Sequence, residues 1–309
     1  MVHGSIRRRD FLQTGAAAGL ATAFAPPVFA VPTRYDPAAK FDLAISELEY
    51  RRTAKGRALL ARVYQPVGPG PFPVVLSLHG GAWNAKDRSA EDPFNRAIAA
   101  AGALVVAVDL TLAPEAPYPA CVQDASYALR WLKAKAKTWN GDAGRIGVFG
   151  SSSGGHVAEL LALRPNDARY NALAFDGAAS PDYVLMRSPI SNTFARFETA
   201  QANKVDAMIK NNTTFFVPWD TIHESNPQEI LERKEKVSLK PFLIMQGALD
   251  SNMLPVYQTK FVETYRAAGG SCDYTIFEGC EHEWVAQPGP ATDRAHNMAK
   301  AFIARHVNA

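Results

Sequence analysis

Short apolar runs alternate with longer amphipathic stretches along most of this chain. Phe41–Tyr50 and Arg57–Tyr64 alternate apolar and polar positions, which predicts two strands joined by a turn at Thr53–Gly56. Later runs are continuously apolar, which is typical of strands buried on both faces. These runs are Pro73–Leu78, Leu104–Val108, Ile146–Phe149 and Phe242–Met245, and a further strand is predicted at Cys272–Phe277.

Helical patterns lie between these runs and after the last one. They cover Pro93–Ala101, Ala120–Lys137, Gly154–Leu163, Val256–Ala268 and Asp293–Ala304. Alternating strands and helices predict an α/β fold, with a mostly parallel central sheet flanked by helices. The stretch at roughly 180–235 interrupts the alternation and is rich in Asn, Thr and aromatic residues. We interpret it as a modest cap insertion over the carboxyl ends of the strands, where open α/β sheets bind ligands.

The first thirty residues differ from the rest of the chain. Arg7–Arg9 precede a long uncharged stretch rich in Ala and Gly, and Val28–Ala30 resembles a signal-peptidase site. Consecutive arginines before Asp-Phe-Leu predict a twin-arginine export signal over 1–30, followed by one catalytic domain over 31–309 in a periplasmic or secreted protein. A membrane anchor is the alternative, but Pro26-Pro27 interrupts the stretch, so no stable anchor is expected after the signal is removed.

Composition narrows the function classes. The 309 residues are 47% hydrophobic and 20% charged, which excludes a disordered chain. The net charge of +3 falls to +1 without the three arginines and one aspartate of the signal, too small an excess for nucleic-acid binding. Three cysteines make no disulfide scaffold, and no metal-binding spacing is present. We therefore expect no metal, no cofactor and no nucleic-acid partner.

The pentapeptide Gly150–Gly154 fits the pattern G-x-S-x-G directly after a predicted buried strand and before a predicted helix. Such a tight turn holds its central serine in a strained conformation, and side chains two positions away on either side would clash. The helix start adds positive partial charge beneath a developing anion. Ser152 is therefore the candidate nucleophile, and a plain Ser/Gly loop is the alternative.

A second glycine-containing loop, His79–Trp83, ends an earlier buried strand. Acyl transfer builds negative charge on a carbonyl oxygen, and backbone N–H donors aimed at that oxygen stabilise it. We predict Gly80 and Gly81 as two of these donors and the N–H of Ser153 as the third. His79 is expected to hold the loop, and an ordinary glycine turn with a packed tryptophan is the alternative.

A nucleophilic serine needs a general base and an acid that orients it. Of the seven histidines, only His282 lies in a loop after a late strand, since the others fall in the signal, the oxyanion loop, the insertion or helices. Asp250 follows the strand Phe242–Met245 and gives the chain order Ser, Asp, His. Glu278, Glu281 and Glu283 are nearer in sequence, but neighbours on one short loop rarely face each other; a helix N-cap is the alternative role for Asp250.

With these motifs, residues 41–306 resemble the α/β-hydrolase superfamily, closest to its His-Gly-Gly-x-Trp esterases. These are the feruloyl-esterase-like and hormone-sensitive-lipase-like carboxylesterases. Leu112–Glu115 with Tyr118–Ala120 is similar to the segment that braces the active-site floor and shapes the acyl pocket in this family. Two departures are Leu110-Thr111, where the family carries Tyr-Arg, and Ser153, where it often carries alanine. The first removes an expected local salt bridge.

The resemblance also implies a cap that limits substrate size and an apolar acyl or aryl pocket. Candidate lining residues are Trp83, Phe194, Phe215, Phe216, Trp219 and Trp284, and simple packing is the alternative for each. The expected activity is that of a serine hydrolase acting on small to medium carboxylic esters through an acyl-enzyme, with a small-molecule ester as partner. An arylformamidase-like or peptidase-like amide hydrolase is the second hypothesis, and a non-catalytic binding protein on the same fold is the third.

Overall fold

Eight strands form one sheet in the computed structural model, which describes residues 35–308. The strands are β1 Leu43–Arg52, β2 Ala58–Pro66, β3 Phe72–Leu78, β4 Leu104–Val108, β5 Gly141–Ser151, β6 Tyr183–Arg187, β7 Phe242–Gly247 and β8 Cys272–Phe277. Their order across the sheet is β1-β2-β4-β3-β5-β6-β7-β8. The pairs β1–β2 and β2–β4 are antiparallel, and the pairs from β4 to β8 are parallel.

Helices cover both faces of the sheet. They are α1 Asp92–Ala100, α2 Ala120–Lys135, α3 Ser153–Leu163, α4 Thr193–Ala202, α5 Asp206–Phe215, α6 Thr221–Glu224, α7 Pro227–Glu232, α8 Pro255–Ala267 and α9 Pro290–Val307. Neighbouring residues of a strand point to opposite faces, so Val74 and Leu76 enter one hydrophobic core and Val75 enters the other. Apolar side chains on both faces explain the continuous hydrophobic runs and confirm the predicted α/β class.

The prediction missed β6, a central strand. Tyr183–Arg187 has five residues, ends in a charged side chain and lies within the range predicted as a cap insertion. The predicted range of 180–235 therefore begins too early, because its first part belongs to the sheet. The inserted segment starts after β6 and carries α4 to α7 before the chain returns to β7.

The predicted export signal lies outside the described residues and stays a prediction. Between residues 35 and 308, no helix is long and apolar enough to cross a membrane. Cys121, Cys272 and Cys280 are free thiols, all buried; Cys272 begins β8 and Cys280 follows it. Burial raises the pKa of the Cys121 thiol to about 12, as is usual for an unreactive buried cysteine.

Candidate active site

The sheet brings the predicted motifs to one edge. The loops after β3, β5, β7 and β8 carry His79–Trp83, Ser152, Asp250 and His282 respectively. These strands are parallel, so their carboxyl ends share one edge of the sheet. The neighbours β3 and β5 place the glycine loop beside the serine, and β7 and β8 place the aspartate beside the histidine.

Ser152 occupies a sharp turn between β5 and α3. Its φ of 52° and ψ of −118° lie in a region that side chains rarely adopt. A Cβ on Gly150 would lie 2.5 Å from the carbonyl oxygen of Gly154, and a Cβ on Gly154 would lie 2.2 Å from that of Leu78. Both glycines are therefore required by close backbone contacts, as the motif predicted.

The three predicted catalytic side chains form a continuous hydrogen-bonded relay. His282 Nε2 lies 2.9 Å from Ser152 Oγ, and His282 Nδ1 lies 2.8 Å from Asp250 Oδ2. Ser152 is 4% exposed and the Asp250 side chain is completely buried. An Nδ1–H bonded to the carboxylate leaves Nε2 free to accept the serine proton, which is the tautomer that a general base requires.

Asp250 stays ionised although it is buried. Burial on its own raises the pKa of this carboxyl. Hydrogen bonds and the charge of His282 together lower it by more than burial raises it, so the net pKa lies below the ordinary value. Oδ2 also accepts from Gln246 Nε2 at 2.9 Å. Oδ1 accepts from the backbone N–H groups of Asn252 and Met253, each at 2.9 Å. These donors hold the carboxylate in place behind the imidazole.

The loop after β3 has an unusual backbone. Gly81 has a φ of +105°, and a Cβ there would lie 2.1 Å from the carbonyl oxygen of Ala85. Ala82 and Trp83 also have positive φ, at 51° and 61°. Trp83 N donates to Ser153 Oγ at 3.2 Å and so ties the loop to the start of α3. Within residues 35–308, the N–H groups of Gly80, Gly81 and Ser153 donate to no protein acceptor.

Two buried histidines support the site without taking part in the relay. His79 Nδ1 donates to the Gly80 carbonyl oxygen at 2.7 Å, which holds the loop as the sequence analysis expected. On α3, burial lowers the pKa of His156 to about 4, so the ring is neutral. It accepts from Trp83 Nε1 and donates to the Ser225 carbonyl oxygen, at 3.2 and 2.8 Å. His156 therefore links the glycine loop to the inserted helices.

The predicted pocket aromatics divide into separate groups. Trp83 stacks on Phe215 with ring centroids 4.6 Å apart, and Phe216 packs edge-on against both. The structure places the other three elsewhere. Phe194 packs on His223, Trp219 packs on Phe197, and Trp284 stacks on Phe277.

Trp284 corrects the pocket prediction. It lies two residues after His282 in a short 3₁₀ turn that points it toward the core on the opposite face of the sheet from Trp83. Its ring packs on Phe277 and makes no aromatic pair with the group around Trp83. The aromatic wall next to the glycine loop therefore consists of Trp83, Phe215 and Phe216.

The segment resembling the family's active-site floor is held by ionic contacts of its own. Glu115 pairs with Arg57 from the loop before β2 at 2.7 Å. The backbone N–H of Thr111 donates to Asp124 on α2 at 2.6 Å, and Arg51 from β1 pairs with the same carboxylate. Arg51 from the edge strand β1 thus supplies an ion pair close to Thr111, where the chain departs from the family pattern.

Sequence reasoning missed Arg187 and Gln246. Arg187 ends the strand that the prediction overlooked, and it is 1% exposed beside the serine turn and the histidine loop. Gln246 lies inside a strand and is recognisable as part of the site only by its contact with Asp250. A single sequence carries no signal for either contact. The partners of Arg187 lie on other elements, and Asp250 lies beyond the turn that follows Gln246.

Comparisons with known proteins agree with this geometry. A profile of the α/β-hydrolase fold family matches residues 75–286, more than half of the chain. The carboxylesterase NlhH of Mycobacterium tuberculosis is 43% identical over 116 residues, which are 37% of this chain and 36% of that protein. The esterase LipC of the same organism is 29% identical over 240 residues, covering 75% of this chain and 58% of that protein. The chain thus spans little more than a third of NlhH.

A solved structure extends the likeness over the whole fold. The hyperthermophilic esterase of the archaeon Pyrobaculum calidifontis superposes with a TM-score of 0.69 at 24% identity. The superposition covers 86% of this chain and 87% of that one, and at this identity it supports the fold alone. Taken with the family profile, these findings show that the chain belongs to the α/β-hydrolase fold family.

Proposed function

We propose that this protein is a serine carboxylesterase that hydrolyses small to medium carboxylic esters. The observation that carries the proposal is the relay from Ser152 through His282 to Asp250, at the same sheet edge as the free N–H groups of the glycine loop. The resemblance to proteins named carboxylesterase and esterase gives independent support.

The proposed reaction proceeds in two acyl-transfer steps. Ser152 Oγ attacks the ester carbonyl carbon while its proton moves to His282 Nε2. The N–H groups of Gly80, Gly81 and Ser153 bind the oxyanion, and each such donor stabilises the transition state by ~3–4 kcal/mol. His282 then gives the proton to the departing alcohol oxygen. Water repeats the sequence on the acyl-enzyme and releases the acid, while Asp250 holds the imidazole tautomer and stabilises its charged form.

Substrate size is set, in this proposal, by the inserted helices and the aromatic wall. Tyr118 Oη contacts Tyr170 Oη at 2.8 Å and donates to Glu224 of α6 at 2.7 Å, so the inserted segment is fastened to the body of the fold. Arg164 pairs with Glu224 and with Glu235, each at 2.5 Å. A fastened insertion above packed aromatic rings favours compact acyl groups over long chains.

Replacing the nucleophile is the decisive test. Ser152→Ala removes the attacking oxygen, so turnover of p-nitrophenyl acetate should fall by on the order of 10⁴-fold or more. Ser77→Ala is the matched control, because Ser77 is a buried serine on β3 whose hydroxyl has no partner within residues 35–308. Full turnover by the Ser152→Ala protein would refute the proposal.

The alternative activities are separated by substrate choice. A panel of p-nitrophenyl esters and N-formyl aryl amides should show preferential ester cleavage, and faster cleavage of the amides would favour an arylformamidase-like enzyme. Stoichiometric labelling of Ser152 by an organophosphonate is expected in either case. A serine that resists labelling would favour a binding protein on the same fold.

We also propose export by the twin-arginine route to the periplasm or beyond, supported by Arg7–Arg9 and the uncharged stretch that follows. Intact mass of the exported protein should then correspond to a chain beginning after Ala30. Replacing the three arginines with lysine should keep the full-length chain inside the cell.

A further inference from the structure

Arg187 occupies a central position among the site loops. It ends β6, and β6 lies between β5, which carries the serine turn, and β7, which leads to Asp250. The Arg187 carbonyl oxygen accepts the N–H of Ser152 at 2.9 Å. Its guanidinium donates from Nη2 to Ser151 Oγ and from Nη1 to the carbonyl oxygen of His282. One residue thus contacts both the serine turn and the histidine loop.

The charge of Arg187 is balanced from two directions. Nη2 lies 3.5 Å from Oε1 of Glu91, just before α1, and 3.3 Å from Oε2 of Glu283, next to the histidine. Glu283 also accepts from Lys86 Nζ at 3.0 Å, and Lys86 lies in the loop that follows β3. These ion pairs join the segment between β3 and α1 to the histidine loop, from Glu91 through Arg187 and from Lys86 directly.

From these contacts we propose that Arg187 is a positioning residue that holds His282 at attacking distance from Ser152. The proposal rests on the esterase function proposed above. Arg187 bonds the backbone of His282 and the neighbour of Ser152, so it acts on geometry and not on the reacting atoms. A planar guanidinium can bond both acceptors at once, whereas the compact ammonium of lysine acts as a point charge without that fork.

The experiment compares two buried arginines. Arg187→Met keeps an unbranched apolar stem but removes the guanidinium donors, and Arg130→Met is its matched control. Arg130 is 5% exposed on α2 and donates to the carbonyl oxygens of Ser126, Leu173 and Phe175, none of which belongs to the proposed site. Both variants should lose thermal stability. A loss of activity in Arg187→Met alone would therefore reflect positioning and not a general effect on the fold.

The expected kinetic result differs between them. In Arg187→Met, kcat should fall by roughly 10–100-fold with KM changed by less than about 3-fold, because displacement of catalytic groups by an ångström costs this much. The rate of phosphonate labelling of Ser152 should fall in parallel. In Arg130→Met, kcat should stay within about 2-fold. Equal kcat losses in the two variants, or an unchanged labelling rate in Arg187→Met, would overturn the proposal.

A second variant keeps the test open if Arg187→Met does not fold. Arg187→Lys retains the charge balance with Glu91 and Glu283, and its kcat and labelling rate should still fall by about 10-fold because the fork is lost. Values within 2-fold of wild type would refute positioning by the guanidinium. The labelling rate needs no ester substrate, so a wild-type protein that is labelled but hydrolyses no ester would disprove the proposed function while still testing Arg187.

Discussion

Two buried carboxyl groups at this end of the fold have pKa values that are shifted in opposite directions. Asp250, in the loop after β7, is 1% exposed, and Glu159, on α3, is fully buried. The net pKa of Asp250 lies below its ordinary value, whereas burial raises the pKa of Glu159 well above its own. Burial alone therefore does not decide the ionisation of either group.

The surroundings of the two groups explain the difference. Asp250 accepts four hydrogen bonds, from Gln246, His282 and two backbone N–H groups. Glu159 Oε1 accepts from the hydroxyl of Ser191 at 2.6 Å, and Oε2 has no partner in the described part of the chain. In a low-dielectric interior, a carboxyl group with too few hydrogen-bond donors around it favours its protonated form. The donors around Asp250 maintain the anion that the relay uses.

The largest effect is expected from Asp250→Asn. The amide cannot hold the Nδ1–H tautomer or stabilise a charged imidazole, so kcat should fall by about 10⁴-fold. Steady-state kinetics on p-nitrophenyl acetate would measure this. Asp109→Asn is a control of the same type, because Asp109 is 7% exposed and bonds Arg88 and the backbone N–H of Leu60. A comparable rate loss in both variants would mean that Asp250 has no special role.

A smaller effect is expected from removing one donor at each site. Gln246→Leu deletes a bond to Asp250, and Gln258→Leu deletes the 2.9 Å bond from Gln258 Nε2 to Ser191 in the Glu159 cluster. Each buried bond is worth about 1–3 kcal/mol, so both variants should unfold at lower urea concentrations. Only Gln246→Leu should also lose activity, by roughly 10-fold, because only Asp250 serves the relay.

The opposite pattern, with lost activity in Gln258→Leu alone, would show that Asp250 is not the catalytic carboxyl and that the Glu159 cluster serves the reaction. Equal activity losses would indicate that the two clusters are coupled through α3 and β6, and the comparison between them would no longer hold. Unchanged urea midpoints in both variants would show that neither amide contributes to stability.

The contrast between Asp250 and Glu159 also shows which features of the site could be predicted from the sequence. Ser152, Asp250 and His282 follow apolar runs in a recognisable order, and the glycines beside Ser152 are demanded by backbone geometry that any such turn shares. The roles of Arg187 and Glu159 depend on side chains from other elements, such as Ser191 after β6. Local patterns determine where a strand ends, but the charge state of a buried group is decided by tertiary neighbours.

The smallest expected effect is a change in pH dependence from Glu159→Gln. The folded state keeps a proton on Glu159 above the ordinary glutamate pKa of about 4.3, whereas the unfolded chain releases it. The stabilising contribution is thus complete below that pKa and is lost as pH rises toward the folded-state pKa. Over this window the wild type should lose up to about 1.4 kcal/mol of unfolding free energy per pH unit relative to the variant.

Urea unfolding at pH 5, 6 and 7 measures this difference, with Glu263→Gln on the exposed side of α8 as the control. The free-energy curve of Glu159→Gln should be flatter than that of the wild type, and the curve of Glu263→Gln should run parallel to the wild type. Parallel curves for all three proteins would mean that Glu159 ionises in the folded state. The orphan oxygen Oε2 would then need a donor, and the contrast with Asp250 would fail.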